Sequence, residues 1–378
     1  MILQTLDINK NCLGVFKDGK FFFQEEDIST AVSSSALAWK HSSLLSDEKY
    51  KYLFLFVKGK QLNNFSSTPE EFSRSENVLN YQKEALKKAK VDLQDQCFFD
   101  TIPEFQVEKY FNLREEALNN ISRSYTPPLE YDILHKAHVL ASNISRQDVI
   151  FGNKKKRISY NIFGSATGRL TTIKGSLPIL SLKKEQRRLI KPSNDLLLEI
   201  DFNAAEVRTL LGLSGQPQPP GDIHDWTSKK VFNGRLNREE SKIKLFSWLY
   251  NFSSSDIELS KFFSRQIFRD FYCFEKNILT TPFGRQLKVE ERKAQNYLLQ
   301  STTSDIVINN AYKIMKMLQD KKTKLAFTMH DSIVLDVARE ESNLIKKIKE
   351  VFDTTNWGAF SSTCKIGKNF GDMRRIEV

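Results

Sequence analysis

Cysteine is scarce in this sequence and scattered. Cys12, Cys97, Cys273 and Cys364 lie far apart and form no Cys-x2-Cys pair. That spacing speaks against a structural zinc site and for a reducing compartment. Long apolar runs are missing too. The longest spans Tyr52 to Val57, well short of the roughly 20 residues a membrane-crossing helix needs. The N-terminus, Met1-Ile2-Leu3-Gln4, has no basic region leading into an apolar stretch, so no secretory signal is expected. Internal repeats and long low-complexity segments are likewise absent. Acidic residues are outnumbered, 46 Asp+Glu against 57 Lys+Arg, leaving a net charge of +11. A basic excess favours a polyanionic partner, although solvated surface lysines give the same balance. Apolar residues are plentiful: 40% of the chain is hydrophobic and 28 residues are Phe. A wholly disordered chain is thereby excluded, and 378 residues allow two or three domains.

Along the chain, residues 1 to about 65 read as a small α/β unit. Leu13 to Phe16 and Lys20 to Phe23 flank Lys17-Asp18-Gly19, a hairpin turn. Tyr50 to Val57 is a further strand candidate, and Ser66 to Glu71, polar and containing Pro69, reads as a linker. From about 70 to 145 the period becomes helical. Leu79, Leu86 and Leu93 recur at seven, with lysines between; Pro103 precedes a stripe from Val107 to Ile121, and Pro127-Pro128 precede another through Leu134, Ala137 and Ala141. This lysine-rich helical module fits a solvated bundle and a phosphate-contacting one equally well. After about 150 the pattern is mixed. Lys154-Lys155-Lys156-Arg157 precedes an expected strand and then Thr167-Gly168-Arg169-Leu170. Leu196 to Ile200 reads as a buried strand ending at Asp201, followed by a helix over Ala204 to Leu213 and a loop from Gly215 to Gly221. Helices are expected to dominate from Trp226 to Leu279. A long helix is expected over Ser304 to Leu318, then two strands, Leu325 to Met329 and Ile333 to Val337, hinged at His330-Asp331-Ser332.

Three constellations carry candidate chemistry. Asp201 and Asp331 both sit at the ends of apolar strands, where a rigid sheet presents side chains at fixed geometry. On adjacent strands, two such carboxylates can hold divalent cations for phosphoryl transfer; either alone could simply cap a turn. Arg238, Lys242, Phe246 and Tyr250 recur at steps of four, covering about 18 Å of one helical face. Cations at the N-terminal end and aromatics at the other suit a nucleoside triphosphate laid along the stripe. The plain alternative is an amphipathic helix with snorkelling cations. Finally, Glu206 and Arg208 follow Asp201 at plus five and plus seven. Glu206 then lies near the carboxylates, either acting on a sugar or standing as a solvated first-turn Glu.

Together these residues resemble the family A DNA polymerases, the bacterial DNA polymerase I type, over about residues 150 to 378. Motif A of that family, D-x4-E-x-R after an apolar strand, matches Asp201 to Arg208. Motif B, R-x3-K-x3-F-x3-Y, matches Arg238, Lys242, Phe246 and Tyr250. Motif C, an apolar hairpin bearing His-Asp, matches His330-Asp331. Secondary matches follow in order: Thr167 to Leu170; Asp222-Ile223-His224; Glu291-Arg292, Asn296, Gln300 and Asp305-Ile306; and Lys365 to Phe370.

The resemblance implies an α+β right-hand polymerase: a palm with an antiparallel sheet, helical fingers and thumb, and a small N-terminal α/β unit. It assigns 1–68 to that unit, of undecided role as an exonuclease remnant, a DNA-path element or a partner-docking module, 69–147 to the thumb, 148–214 to the first part of the palm, 215–280 to the fingers and 281–378 to the rest of the palm. It implies that Asp201, Asp331 and the Phe202 backbone carbonyl hold two Mg2+ ions, with Mn2+ as a substitute. Arg238, Lys242 and His224 would bind the incoming deoxynucleoside triphosphate, with Phe246 against its sugar and base. Tyr250 and Glu206 would exclude a ribose 2′-hydroxyl. Arg169, Gln300, Asn296, Arg292, His330 and Arg208 would contact primer-template DNA, where minor-groove acceptors are nearly the same for every pair.

Three departures stand out: Asn251 where Gly is usual, Ser332 where Glu is usual, and Ala204-Ala205 in place of polar or bulkier residues. Ser332 also occurs in single-subunit RNA polymerases, whereas Glu206 favours deoxynucleotides. The expected activity is template-directed, primer-dependent DNA synthesis without proofreading, because about 65 residues are too few for the family's exonuclease domain. A single-subunit RNA polymerase and a non-catalytic nucleic-acid binder are the competing readings. The expected state is a monomer free of membrane, with any processivity partner unidentified. The expected setting is the cytoplasm of a bacterial or phage-infected cell, with an organelle as the alternative.

Overall fold

The structure is a computed structural model and describes residues 4–5, 15–17, 19–22, 61–91, 98–124, 129–251 and 254–378. It divides into two compact units, Met1–Tyr131 and Asp132–Val378. The strand expected at Tyr50 to Val57, and the expectation for Leu93, lie outside the described residues.

In the first unit, β1 (Gln4–Thr5), β2 (Val15–Lys17) and β3 (Lys20–Phe22) form an antiparallel sheet. Val15 pairs with Phe22 and Lys17 with Lys20, so the hairpin predicted from the turn residues forms in that register. Two long helices follow, α1 (Pro69–Lys88) and α2 (Glu104–Ser124). Their apolar stripes close a core in which Phe16, Leu79, Val107 and Phe111 are buried. Phe16 and Phe21 both meet Phe111, with ring centroids 5.6 and 6.3 Å away. The hairpin therefore shares its core with the helices. The expected linker at Ser66 to Glu71 is ordered: Ser66 is buried, Glu116 accepts from the Ser67 backbone at 3.0 Å, and α1 begins at Pro69, a residue suited to a helix's first turn.

The division falls near the start of α3 (Glu130–Ser145). In the second unit, β4 (Asp148–Phe151) pairs with β5 (Lys154–Arg157), so the four-cation run is itself an exposed edge strand, and the strand expected after it follows at Tyr160–Asn161. A hairpin of β6 (Tyr160–Asn161) and β7 (Thr171–Thr172) brackets the Thr167 to Leu170 turn, and β8 (Ile190–Lys191) completes the β4 sheet.

The central sheet starts with β9 (Leu196–Phe202), followed by α4 (Ala205–Leu213), α5 (Ile223–Lys230), α6 (Arg238–Tyr250) and α7 (Ile257–Phe262). A short meander follows, β10 (Tyr272–Cys273), β11 (Ile278–Thr280) and β12 (Gln286–Lys288), whose first strand and the start of its second lie in the stretch to Leu279 where helix was expected. Next come α8 (Glu291–Met317), β13 (Lys324–Thr328), β14 (Ser332–Val337) and α9 (Leu344–Asp353). The chain closes with β15 (Thr354–Thr355), β16 (Gly358–Ala359), β17 (Ser362–Gly367) and β18 (Arg374–Ile376).

The central sheet is antiparallel, in the order β13-β14-β9-β17-β18. β9 lies in the middle because its alternation serves two faces. Leu198, Ile200 and Phe202 are buried on one face, where the Phe202 ring stacks on Phe352 of α9 at 4.2 Å. The other face carries Glu199 and Asp201, two residues apart and hence on the same side. α5 and α6 are both capped by their own sequence. Asp222 accepts from the backbone of His224 and Asp225, at 2.8 and 3.1 Å, and Asn237 forms a capping box with Glu240. Among the described residues no helix is long and apolar enough to cross a membrane.

Candidate active site

The sheet brings Asp201 and Asp331 together. Ser332, the first residue of β14, is the register partner of Asp201, and the Phe202 backbone N–H donates to the Asp331 carbonyl at 3.2 Å. Both carboxylates are raised above their ordinary range. Burial pushes Asp201 up to about 7, helped by the charges of Asp331 and Glu199 and opposed by Lys365. Asp331 is raised by desolvation, against the pull of its own backbone N–H, His330 and Arg169. Glu199 is a site neighbour that motif reading missed, and Lys365, matched only as the start of the C-terminal segment, is its partner. They pair across the β9–β17 rung at 2.8 Å, and the alternation of β9 was the signal for Glu199.

Among the described residues no group of three or more His, Cys, Asp or Glu side chains forms a metal cage. The donor set still fits a hard divalent cation. Two mutually repelling carboxylates need a positive partner, and magnesium is commonly held by one or two carboxylates with water and substrate phosphate completing the shell.

Glu206 sits in the first turn of α4, which starts at Ala204, a residue in left-handed conformation with φ 50°. One Glu206 oxygen accepts from Arg169 Nη2 at 2.5 Å, and the other accepts from the Tyr250 hydroxyl. Burial raises the Glu206 carboxyl against the pull of both partners. Burial and the Glu206 charge both raise the Tyr250 hydroxyl, and Asp331 adds to them. The C-terminal end of α6 therefore lies within electrostatic reach of Asp331.

Phe246 and Tyr250 stack with centroids 5.8 Å apart and planes 9° off parallel. His224 is buried, with its ring 5.5 Å from Phe246. Desolvation lowers its pKa, which favours the neutral imidazole. At the other end of α6, Arg238 is bound to Asp222 at 2.7 Å and also to Glu239. Lys242, half-buried one turn on, has no ion-pair partner among the described residues.

Arg292, Asn296 and Gln300 follow one face of α8 at steps of four. Arg292 is exposed and paired with Glu290 at 2.7 Å, and Asn296 and Gln300 are half-buried. Asn296 and Arg292 also line a cavity of about 410 Å³ beside Tyr250. His330 is exposed at the turn before Asp331.

Arg208 departs from expectation. It is 0% exposed, and its guanidinium donates to the carbonyls of Asn203, Pro219 and Gly221 at 2.8, 2.9 and 2.5 Å. It braces the loop between α4 and α5 and has no surface with which to touch DNA.

No protein-family model matches the chain. It is 24% identical to DNA polymerase I of Borreliella burgdorferi over 264 residues, covering 55% of this chain and 29% of that protein. It is 22% identical to DNA polymerase I of Chloroflexus aurantiacus over 328 residues, covering 71% of this chain and 35% of that one. It thus spans about a third of the length of these relatives. The POL domain of Pol1 from M. smegmatis, solved with DNA primer-template and dNTP, overlies it with TM-score 0.48 and 13% identity, covering 84% of this chain and 66% of that one. Over 55% and 71% of its length, respectively, the chain is thus similar to these two bacterial DNA polymerase I proteins.

Proposed function

We propose that the chain is a template-directed, primer-dependent DNA polymerase of right-hand form, with the thumb, palm and fingers divided as the motifs imply. The observation that carries this reading is the meeting of Asp201 and Asp331 on adjacent strands, beside a helix end where Tyr250 is bonded to Glu206. Asp201 and Asp331, with the Phe202 carbonyl, are the groups that would hold the magnesium ions. Bound there, magnesium supplies Lewis acidity and neutralises charge on the transferring phosphoryl group.

The chain's own residues supply binding and orientation. Arg238, Lys242 and His224 receive the triphosphate, which requires Arg238 to exchange its contacts with Asp222 and Glu239 for phosphate oxygens. Phe246 packs against sugar and base. The Tyr250–Glu206 bond closes the space beside the ribose, so a 2′-hydroxyl would meet a filled site. Arg169, Gln300, Asn296, Arg292 and His330 face the primer-template. The primer 3′-hydroxyl oxygen bonds to the α-phosphorus, its proton leaves, and the bond to pyrophosphate breaks. No protein nucleophile takes part; positioning and electrostatics carry the step.

A primer-extension assay tests this. Deoxynucleotides should be added to a recessed primer according to the template, with no excision of a mismatched end. Primer-independent incorporation of ribonucleotides would favour the RNA polymerase reading. DNA binding without magnesium-dependent turnover would favour a non-catalytic binder.

A further inference from the structure

A buried ion pair lies behind the site, and no role proposed above uses it. Arg285 is 8% exposed and Asp305 is 0% exposed. Arg285 Nε donates to both Asp305 carboxylate oxygens, at 2.9 and 2.8 Å. Buried charge pairs are poor stability devices, since desolvation offsets most of their attraction. This one is also incompletely satisfied, because Arg285 Nη2 is buried with no acceptor among the described residues. Its geometry points elsewhere.

The guanidinium lies flat against Gly168, so close that a Cβ there would come within 2.6 Å of Cζ and 2.8 Å of Nε. Gly168 adopts φ +73°, which a side chain would strain. The Gly168 carbonyl accepts from Ser304 Oγ at 3.3 Å, and its N–H closes the turn onto Ser165 at 3.2 Å. Arg285 is fixed in turn by Thr281: the backbone of each donates to the other residue, at 2.9 and 3.2 Å. The residue after Gly168 is Arg169, which holds Glu206 and acts on the charges of His330 and Asp331.

We propose that Arg285 and Asp305 are positioning residues that clamp the Gly168 turn and so aim Arg169 at Glu206. The clamp runs from Asp305 in α8, through Arg285 ahead of β12, to the turn between β6 and β7. It rests on the polymerase reading only for its functional consequence.

The test is a double-mutant cycle with a second, activity-independent readout. Asp305→Asn should lower primer extension about tenfold to a hundredfold, the scale of a small misplacement of an active-site group. In an Arg169→Ala background the same change should cost less than about twofold, because the group it aims is gone. Amide exchange across Ser165 to Leu170 should speed up in Asp305→Asn. Gly168→Ala approaches the clamp from the other side and is read in the same way if Asp305→Asn does not fold. Equal losses in both backgrounds, or unchanged exchange, would overturn the clamp and leave a merely structural pair. If the unmodified chain adds no nucleotide, the polymerase reading is what fails, and exchange alone then decides the clamp.

Discussion

Glu206 joins two distant segments of the site. Each of its oxygens holds a different partner, Arg169 or Tyr250, from segments far apart in sequence. Glu206→Ala frees the Tyr250 hydroxyl and opens the space beside the ribose. Preference for deoxy- over ribonucleotides, measured as a ratio of kcat/KM values, should then fall by about tenfold or more, the scale of removing a built steric and polar discrimination. Unchanged discrimination would remove the role. Asp222 makes a second residue-scale prediction. Burial opposes its ionisation, but Arg238 and the backbone N–H groups of Asp225 and His224 hold its pKa at about 2. A depressed carboxylate adds stability that is present above its unfolded value, near 3.9, and lost as pH falls toward 2. Asp222→Asn should therefore cost about 1–2 kcal/mol at neutral pH, after allowing for solvent screening, and flatten the loss of stability between about pH 4 and 2 in acid-denaturation curves.

At the scale of elements, α6 matters most because it sets the spacing of Arg238, Lys242, Phe246 and Tyr250. Its start is fixed by the Asn237–Glu240 capping box. Asn237→Ala should cost about 1 kcal/mol, seen as a Tm lower by a few degrees. That helix and the β9 and β14 strands were readable from the sequence, because fixed spacing and apolar alternation are local signals. α8 was readable only in its second half. The run Gln300 to Asp305 is polar and carries no apolar stripe, yet it is helical. Part of its polarity meets buried partners, Thr303 with Thr209 at 2.9 Å, Ser304 with Gly168 and Asp305 with Arg285, while the Ser301 and Thr302 hydroxyls are buried without a hydrogen-bond partner among the described residues. The β10–β12 meander was missed because strands of two or three residues carry too little pattern. Pairings such as Arg169 with Glu206, and the burial of Arg208 under three carbonyls, depend on tertiary approach that spacing cannot encode.

For the whole molecule, the net charge of +11 is a property of the chain that fits any nucleic-acid partner. Affinity for primer-template should fall steeply with salt whether or not the protein is an enzyme. Salt dependence therefore decides nothing between the readings, and the central claim rests on the carboxylate pair that the antiparallel sheet assembles. The most direct measurement is single-nucleotide addition to a recessed primer, with magnesium and the templated deoxynucleotide, for the unmodified chain, Asp201→Ala and Asp331→Ala. Templated addition by the unmodified chain is expected, with a loss of at least about a thousandfold in either variant, the scale of several kcal/mol of transition-state stabilisation. Addition at an undiminished rate by either variant, with the fold intact, would contradict it.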